Sequence, residues 1–154
     1  MRAIQLLLVL AAVGGCHSPQ RVGVADLEIS GVGTASDTAE AVRRLGRADS
    51  ATYLPVPHDV SEVRDSTRIA LDYPGLRLLF ERDGELTAFM ITAAGAATRR
   101  GLRVGDDSAR VLRLYGPPQM RGHSIWYYAS ENAAVNMLVS LRGPSVEHIV
   151  LGLR

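Results

Sequence analysis

Two stretches of this chain lie over one another at a constant offset of 70 positions, and a chain that repeats a local device must fold so as to seat that device twice. Residues 31–49 read GVGTASDTAEAVRRLGRAD, and residues 101–118 read GLRVGDDSARVLRLYGPP. Gly31 aligns with Gly101, Asp37 with Asp107, Ala39 with Ala109, Arg43 with Arg113 and Gly46 with Gly116. In each copy an aspartate stands where an N-cap oxygen can accept from free backbone N–H groups, and its charge suits the positive end of a helix. Asp37 and Glu40 also have the spacing of a capping box. The glycine after each helix can take the left-handed conformation of a terminating turn, and Pro117 and Pro118 stop the second helix outright. Val42 and Leu45, like Leu112 and Tyr115, lie three apart and face the same way. A helix of about nine residues does not persist alone in water, so each must rest on something.

The segment after each copy supplies a support. Behind the first come ATYLPVP, a polar stretch, then TRIALDY, GLRLLFER and ELTAFMIT, with RDG as turn chemistry before Glu85. Behind the second come HSIWYY, AAVNMLVSL and VEHIVLGL, the last two separated by RGPS. The predicted fold class is therefore α+β, with two tandem units, each a short helix packed on an antiparallel meander of about three strands. At 154 residues and 47% apolar the chain has material for one domain or two very small ones. The expected boundaries are a signal peptide over 1–15, a tether over 16–24, a first unit over 25–94 and a second over 95–154.

The N-terminus differs from the rest. Arg2 precedes an apolar run from Ile4 to Val13 that is shorter than the roughly 20 residues of a membrane span, and VGGC ends it. VGGC resembles the lipobox of bacterial lipoproteins, which implies that Cys16 is acylated and becomes the first mature residue. Acyl burial contributes about 0.8 kcal/mol per methylene, enough for several chains to hold a domain on a bilayer. Cys16 is the sole cysteine, so it forms no internal disulfide. All 17 basic residues are arginine, and loss of Arg2 with the signal leaves them balanced against the 16 acids. A near-neutral chain gives no electrostatic ground for a nucleic-acid partner. His17 stands where an aspartate would act as an inner-membrane retention signal, so the implied location is the cell envelope, at the outer membrane facing the periplasm.

A glycine-terminated helix followed by a meander, behind such a signal, resembles the SmpA/OmlA (BamE-like) outer-membrane lipoproteins. The doubling is similar to the tandem arrangement of the β-lactamase-inhibitor protein superfamily. The residues that carry the likeness are the glycine and acid before each helix, GDDSARVLRLYGPP above all, and the closing aliphatic strands. The resemblance implies a non-enzymatic module that binds another protein, in envelope assembly or as an inhibitor. The first copy departs from the pattern: no prolines follow Gly46, Ala35 stands where Gly105 does, and an insertion runs from about 52 to 66.

Chemistry is sparse. There is no G-x-S-x-G, and His123 and Ser124 are adjacent on a predicted strand, so they point to opposite faces. The histidines at 17, 58, 123 and 148 are scattered, with no H-E-x-x-H, and although His123 and His148 could meet across strands no metal site is expected. Asp106 and Asp107 read as helix-start acids before they read as a catalytic pair, and GVGTAS is neither a Walker loop nor a dinucleotide fingerprint. No cofactor is expected. Arg99 and Arg100, in the linker before the second copy, read as solvated. The candidate recognition surface is IWYY: Trp126 and Tyr128 project from one face and Ile125 and Tyr127 from the other, and Trp126, Tyr128 and nearby Arg121 are the residues chosen for binding. The rival readings are a small hydrolase or a small-ligand binder with a site between the two units.

Overall fold

A computed structural model of the chain describes residues 21–55, 67–82 and 84–153. Cys16, His17 and His58, with most of the expected tether and insertion, lie outside the described residues. A turn of 3-10 helix at Val24–Asp26 leads into a hairpin of β1 (Glu28–Ile29) and β2 (Val32–Gly33), then α1 (Thr38–Leu45). Next come β3 (Ser50–Pro55), β4 (Thr67–Tyr73), β5 (Leu76–Phe80) and β6 (Leu86–Ile91). The chain continues through α2 (Ser108–Tyr115), β7 (Met120–Arg121), β8 (Ile125–Ala129), β9 (Val135–Arg142) and β10 (Ser145–Leu153).

Both copies of the repeated device form their helix. The Asp37 carboxylate accepts from the Glu40 N–H and the Asp107 carboxylate from the Arg110 N–H, each at 2.7 Å. Gly46 and Gly116 donate to the carbonyls of Val42 and Leu112, both at 2.9 Å. Their φ of 85° and 73° is positive as expected, but ψ of −171° and −165° lies outside the left-handed helical well, in a region open essentially to glycine alone. In each helix the residue just before the first member of the pair is the buried one. Val42 and Leu112 face solvent, whereas Ala41 and Val111 are buried, the latter above Tyr115 at a spacing of four.

The expected pair of α+β units, each a helix on its own three-stranded meander, does not form. The described residues are mainly β: one antiparallel sheet of eight strands in the order β3-β4-β5-β6-β10-β9-β8-β7, with two α-helices on it. The joint is the pairing of β6 with β10, Ile91 opposite Ile149, Met90 opposite Val150 and Phe89 opposite Leu151. The physical reason is edge pairing. Two separate meanders would leave the N–H and C=O groups of β6 and of one side of β10 unpaired, and joining them removes both edges. Each half also contributes four strands, since β3 and the two-residue β7 extend the meanders at opposite ends.

The core lies between this sheet and a second layer made of both helices and the N-terminal hairpin. One row crosses six strands as Leu71, Leu78, Phe89, Leu151, Met137 and Tyr128, and all six side chains are buried. A parallel row runs through Leu76, Ile91, Ile149, Val139 and Trp126. Leu27, Ile29, Val32, Ala41, Leu102, Val111 and Tyr115 close over these rows from the other layer.

Candidate functional site

The three residues chosen for binding sit together, but on the core side. Trp126 and Tyr128 are each 2% exposed. The Tyr128 hydroxyl donates to the Gly116 carbonyl at 3.2 Å, and its ring lies 6.0 Å from that of Tyr115. Arg121, opposite Trp126 in the register, lays its guanidinium 4.7 Å from the Trp126 ring centroid and covers it at the end of the sheet. Burial pushes the Tyr128 hydroxyl up to about 12. Trp126 and Tyr128 are therefore core residues, Tyr128 against the end of the second helix, and they do not form the exposed aromatic patch expected of them. The strand could not disclose this by itself, because IWYYA is apolar on both of its faces.

The opposite face of the sheet carries its own cross-strand row. Met90, Val150, Leu138, Tyr127 and Met120 are successive register partners across β6, β10, β9, β8 and β7. Ile125 is next to the row on the same face, opposite Ser140, which in turn faces His148. Leu138, Ile125 and Met120 are 40%, 48% and 67% exposed. Both helices belong to the other layer, and among the described residues no element packs over these side chains. The Asp72 and Arg77 pair bounds the row at the β4 and β5 end, with Arg77 Nε 2.5 Å from Asp72 Oδ1, which holds the Asp72 carboxyl below its ordinary range. The signal that could have found this face lies in β9. Its inward set of Val135, Met137, Val139 and Leu141 is wholly apolar, while Asn136, Ser140 and Arg142 alternate with Leu138 on the outside.

A second cluster contradicts the solvated reading of Arg100, whereas Arg99 is exposed as expected. Arg100 clamps Asp26 through two bonds, Nε to Oδ1 at 2.6 Å and Nη2 to Oδ2 at 2.7 Å, with the two side chains 18% and 7% exposed. It also donates to the carbonyls of Leu114 at 3.0 Å and Arg21 at 2.8 Å, and stacks 4.6 Å from the Tyr115 ring centroid. The Tyr115 hydroxyl donates to Thr98 Oγ1 at 2.8 Å, and Thr98 Oγ1 accepts from the Leu102 N–H at 3.1 Å. Burial raises the Tyr115 hydroxyl to about 12. Arg99 reaches the Ala25 carbonyl at 2.9 Å and Glu28 at 3.5 Å. Both arginines thus fasten the segment that leads back toward Cys16 onto the body. The sequence signal was weak: two adjacent arginines and an aspartate 74 residues earlier.

Asp106 accepts from the Arg103 N–H at 2.8 Å and pairs with Arg110 at 3.1 Å, so it serves the turn before the helix as Asp107 serves the cap. β9 lies between β10 and β8, so His148 does not face His123 across neighbouring strands. Among the described residues no group of three or more histidine, cysteine or acidic side chains gathers as a metal site would require. Two clefts, of about 450 and 320 Å³, lie against the N-terminal segment, the first lined by Glu28, Gly31 and Arg44, the second by Asp26, Arg99 and Arg100. The groove between two sheets that a ligand carrier would have used is replaced by the paired strands β6 and β10.

No protein-family model and no curated protein matches the chain. Among solved structures it is similar to a DUF4309 family protein (YjgB) from Bacillus subtilis subsp. subtilis str. 168, at 12% identity, over 78% of this chain and 80% of that one, with a TM-score of 0.43. Among the described residues no helix is long and apolar enough to cross a membrane.

Proposed function

We propose that this chain is a lipid-anchored protein of the cell envelope that binds another protein through the sheet face its helices leave uncovered. The observation that supports this most is the row Met90, Val150, Leu138, Tyr127 and Met120, flanked by Ile125 and bounded by charged and polar side chains. Tyrosine, methionine and arginine are enriched where proteins meet, and an apolar centre with a polar rim is the usual arrangement of such a surface. The clamp of Asp26 by Arg100 supports the anchor half of the reading, since it holds the chain's N-terminal segment on the body. A load arriving along that segment is then borne by a buried ion pair and not by a loose loop. The VGGC motif at residues 13–16 supplies the attachment chemistry.

Two substitutions test the halves separately. Cys16→Ser should move the protein from the membrane fraction to the soluble envelope fraction; retention in the membrane with unchanged mass overturns the anchor. Leu138→Asp places a charge in the centre of the exposed row without touching the core. It should abolish recovery of crosslinked partner from intact cells while leaving the melting temperature within about 2 °C, as expected for a surface change within about ±0.5 kcal/mol. Undiminished partner recovery by a folded Leu138→Asp chain overturns the choice of face.

A further inference from the structure

The two edges of the sheet are finished differently. At the β8 end every second residue is closed off: Gly122 N–H donates to Ile125 O at 2.8 Å and Gln119 N–H to Tyr127 O at 3.0 Å. The Gln119 side-chain amide then donates to Ala129 O at 2.9 Å and accepts from Ala129 N–H at 3.1 Å, so a side chain replaces the missing strand. Beyond it β7 offers only Met120 and Arg121.

The opposite edge is β3, six residues long, which pairs with β4 on one side and with no described residue on the other. Its sequence, SATYLP, contains no charged side chain, and its one proline, Pro55, stands at the end of the strand, so the charge and proline by which edge strands avoid further pairing are missing from Ser50–Leu54. Tyr53 stands 71% exposed on it, opposite Ile69, which is packed against the core.

We infer that β3 pairs antiparallel with β3 of a second copy of this chain, about a twofold axis perpendicular to the sheet near Thr52 and Tyr53. Three features select a second copy as the occupant. An edge strand asks its partner for an extended backbone, which β3 itself supplies. A neutral strand meets its own mate without setting like charges opposite each other. Among the described residues the other end of the sheet offers a new strand only the two residues of β7, too short to seat one, so the association closes at two copies and does not propagate into a filament. The perpendicular axis keeps the layers in register: the Tyr53 rings become neighbours on the helix side, and the uncovered faces of the two sheets join into one surface. The inference stands on β3 alone and does not depend on the proposed partner surface.

The experiment uses the full chain in intact cells, with two differently tagged copies expressed together and the photoreactive amino acid p-benzoylphenylalanine in place of Tyr53. Illumination should give a product of twice the monomer mass that carries both tags. The same probe at Met120, on the blunted edge, should give none. Adding Thr52→Glu to the Tyr53 probe should abolish the two-tag product by opposing like charges near the axis, with the melting temperature of the purified variant unchanged. The inference is overturned if the Tyr53 probe yields no two-tag product, if it yields only adducts of another protein's mass, or if the Met120 probe yields as much.

Discussion

Replacement of Arg100 by alanine tests how the N-terminal segment is held. The substitution removes two charge-assisted bonds to Asp26, two donations to the Leu114 and Arg21 carbonyls, and the stack on Tyr115. Asp26, 7% exposed, keeps the Gly23 N–H at 2.9 Å as a partner. Breaking a buried pair from one side costs about 3–5 kcal/mol, because the surviving charge stays desolvated without its counterion. Arg100 retains 18% exposure, so water reaches part of the space it leaves, and the lower end applies, about 3 kcal/mol. For a domain of this size that is a fall in melting temperature of roughly 6–12 °C. The assay is thermal unfolding at neutral pH followed by circular dichroism, with Arg99→Ala as the control. Arg99 and its partner Glu28 are 52% and 43% exposed at 3.5 Å, and a surface pair of that kind contributes about 0–1 kcal/mol. A loss below about 1 kcal/mol for Arg100→Ala, or equal losses for the two variants, refutes the clamp.

Two further outcomes rest on the same structure. Gly46→Ala and Gly116→Ala should each destabilise by about 1–3 kcal/mol in denaturant unfolding, since both positions hold φ and ψ values that a side chain resists; a negligible shift in midpoint would remove the strain argument. Tyr115 and Tyr128 have folded-state hydroxyls raised to about 12 against an ordinary 10, so their contribution is complete below pH 10 and is lost as pH rises from 10 through 12. Phenolate absorbance should show this pair titrating last, and the double Phe variant should flatten the alkaline fall in stability; a fall that is unchanged in that variant would point to other groups.

The local devices were legible and the assembly was not. Asp37 and Asp107 cap their helices because an N-cap needs only a short oxygen-bearing side chain at the right position, and that information is contiguous in sequence. Gly46 and Gly116 end them for an equally local reason. The strands from TRIALDY to VEHIVLGL also fall where alternation and turn residues place them. The inward position of the first helix is hard to read locally because Ala41 is too small to stand out beside Val42, although Ala41 is the residue that faces the core. The buried side of β8 is not legible in its sequence because Ile125, Trp126, Tyr127 and Tyr128 are all apolar enough to be core. Only their partners decide: Tyr128 meets Met137 and Gly116, whereas Tyr127 meets Leu138 and Met120.

Taken alone, the amino-acid order determines two capped helices, their glycine stops and the strand segments, because each depends on neighbours within a few residues. Tertiary structure alone decides that β6 and β10 pair to make one sheet, that Arg100 reaches across 74 positions to Asp26, and which face of the sheet is left bare. Those outcomes turn on satisfying backbone edges and buried charge across distant segments, and no local pattern carries the identity of a distant partner.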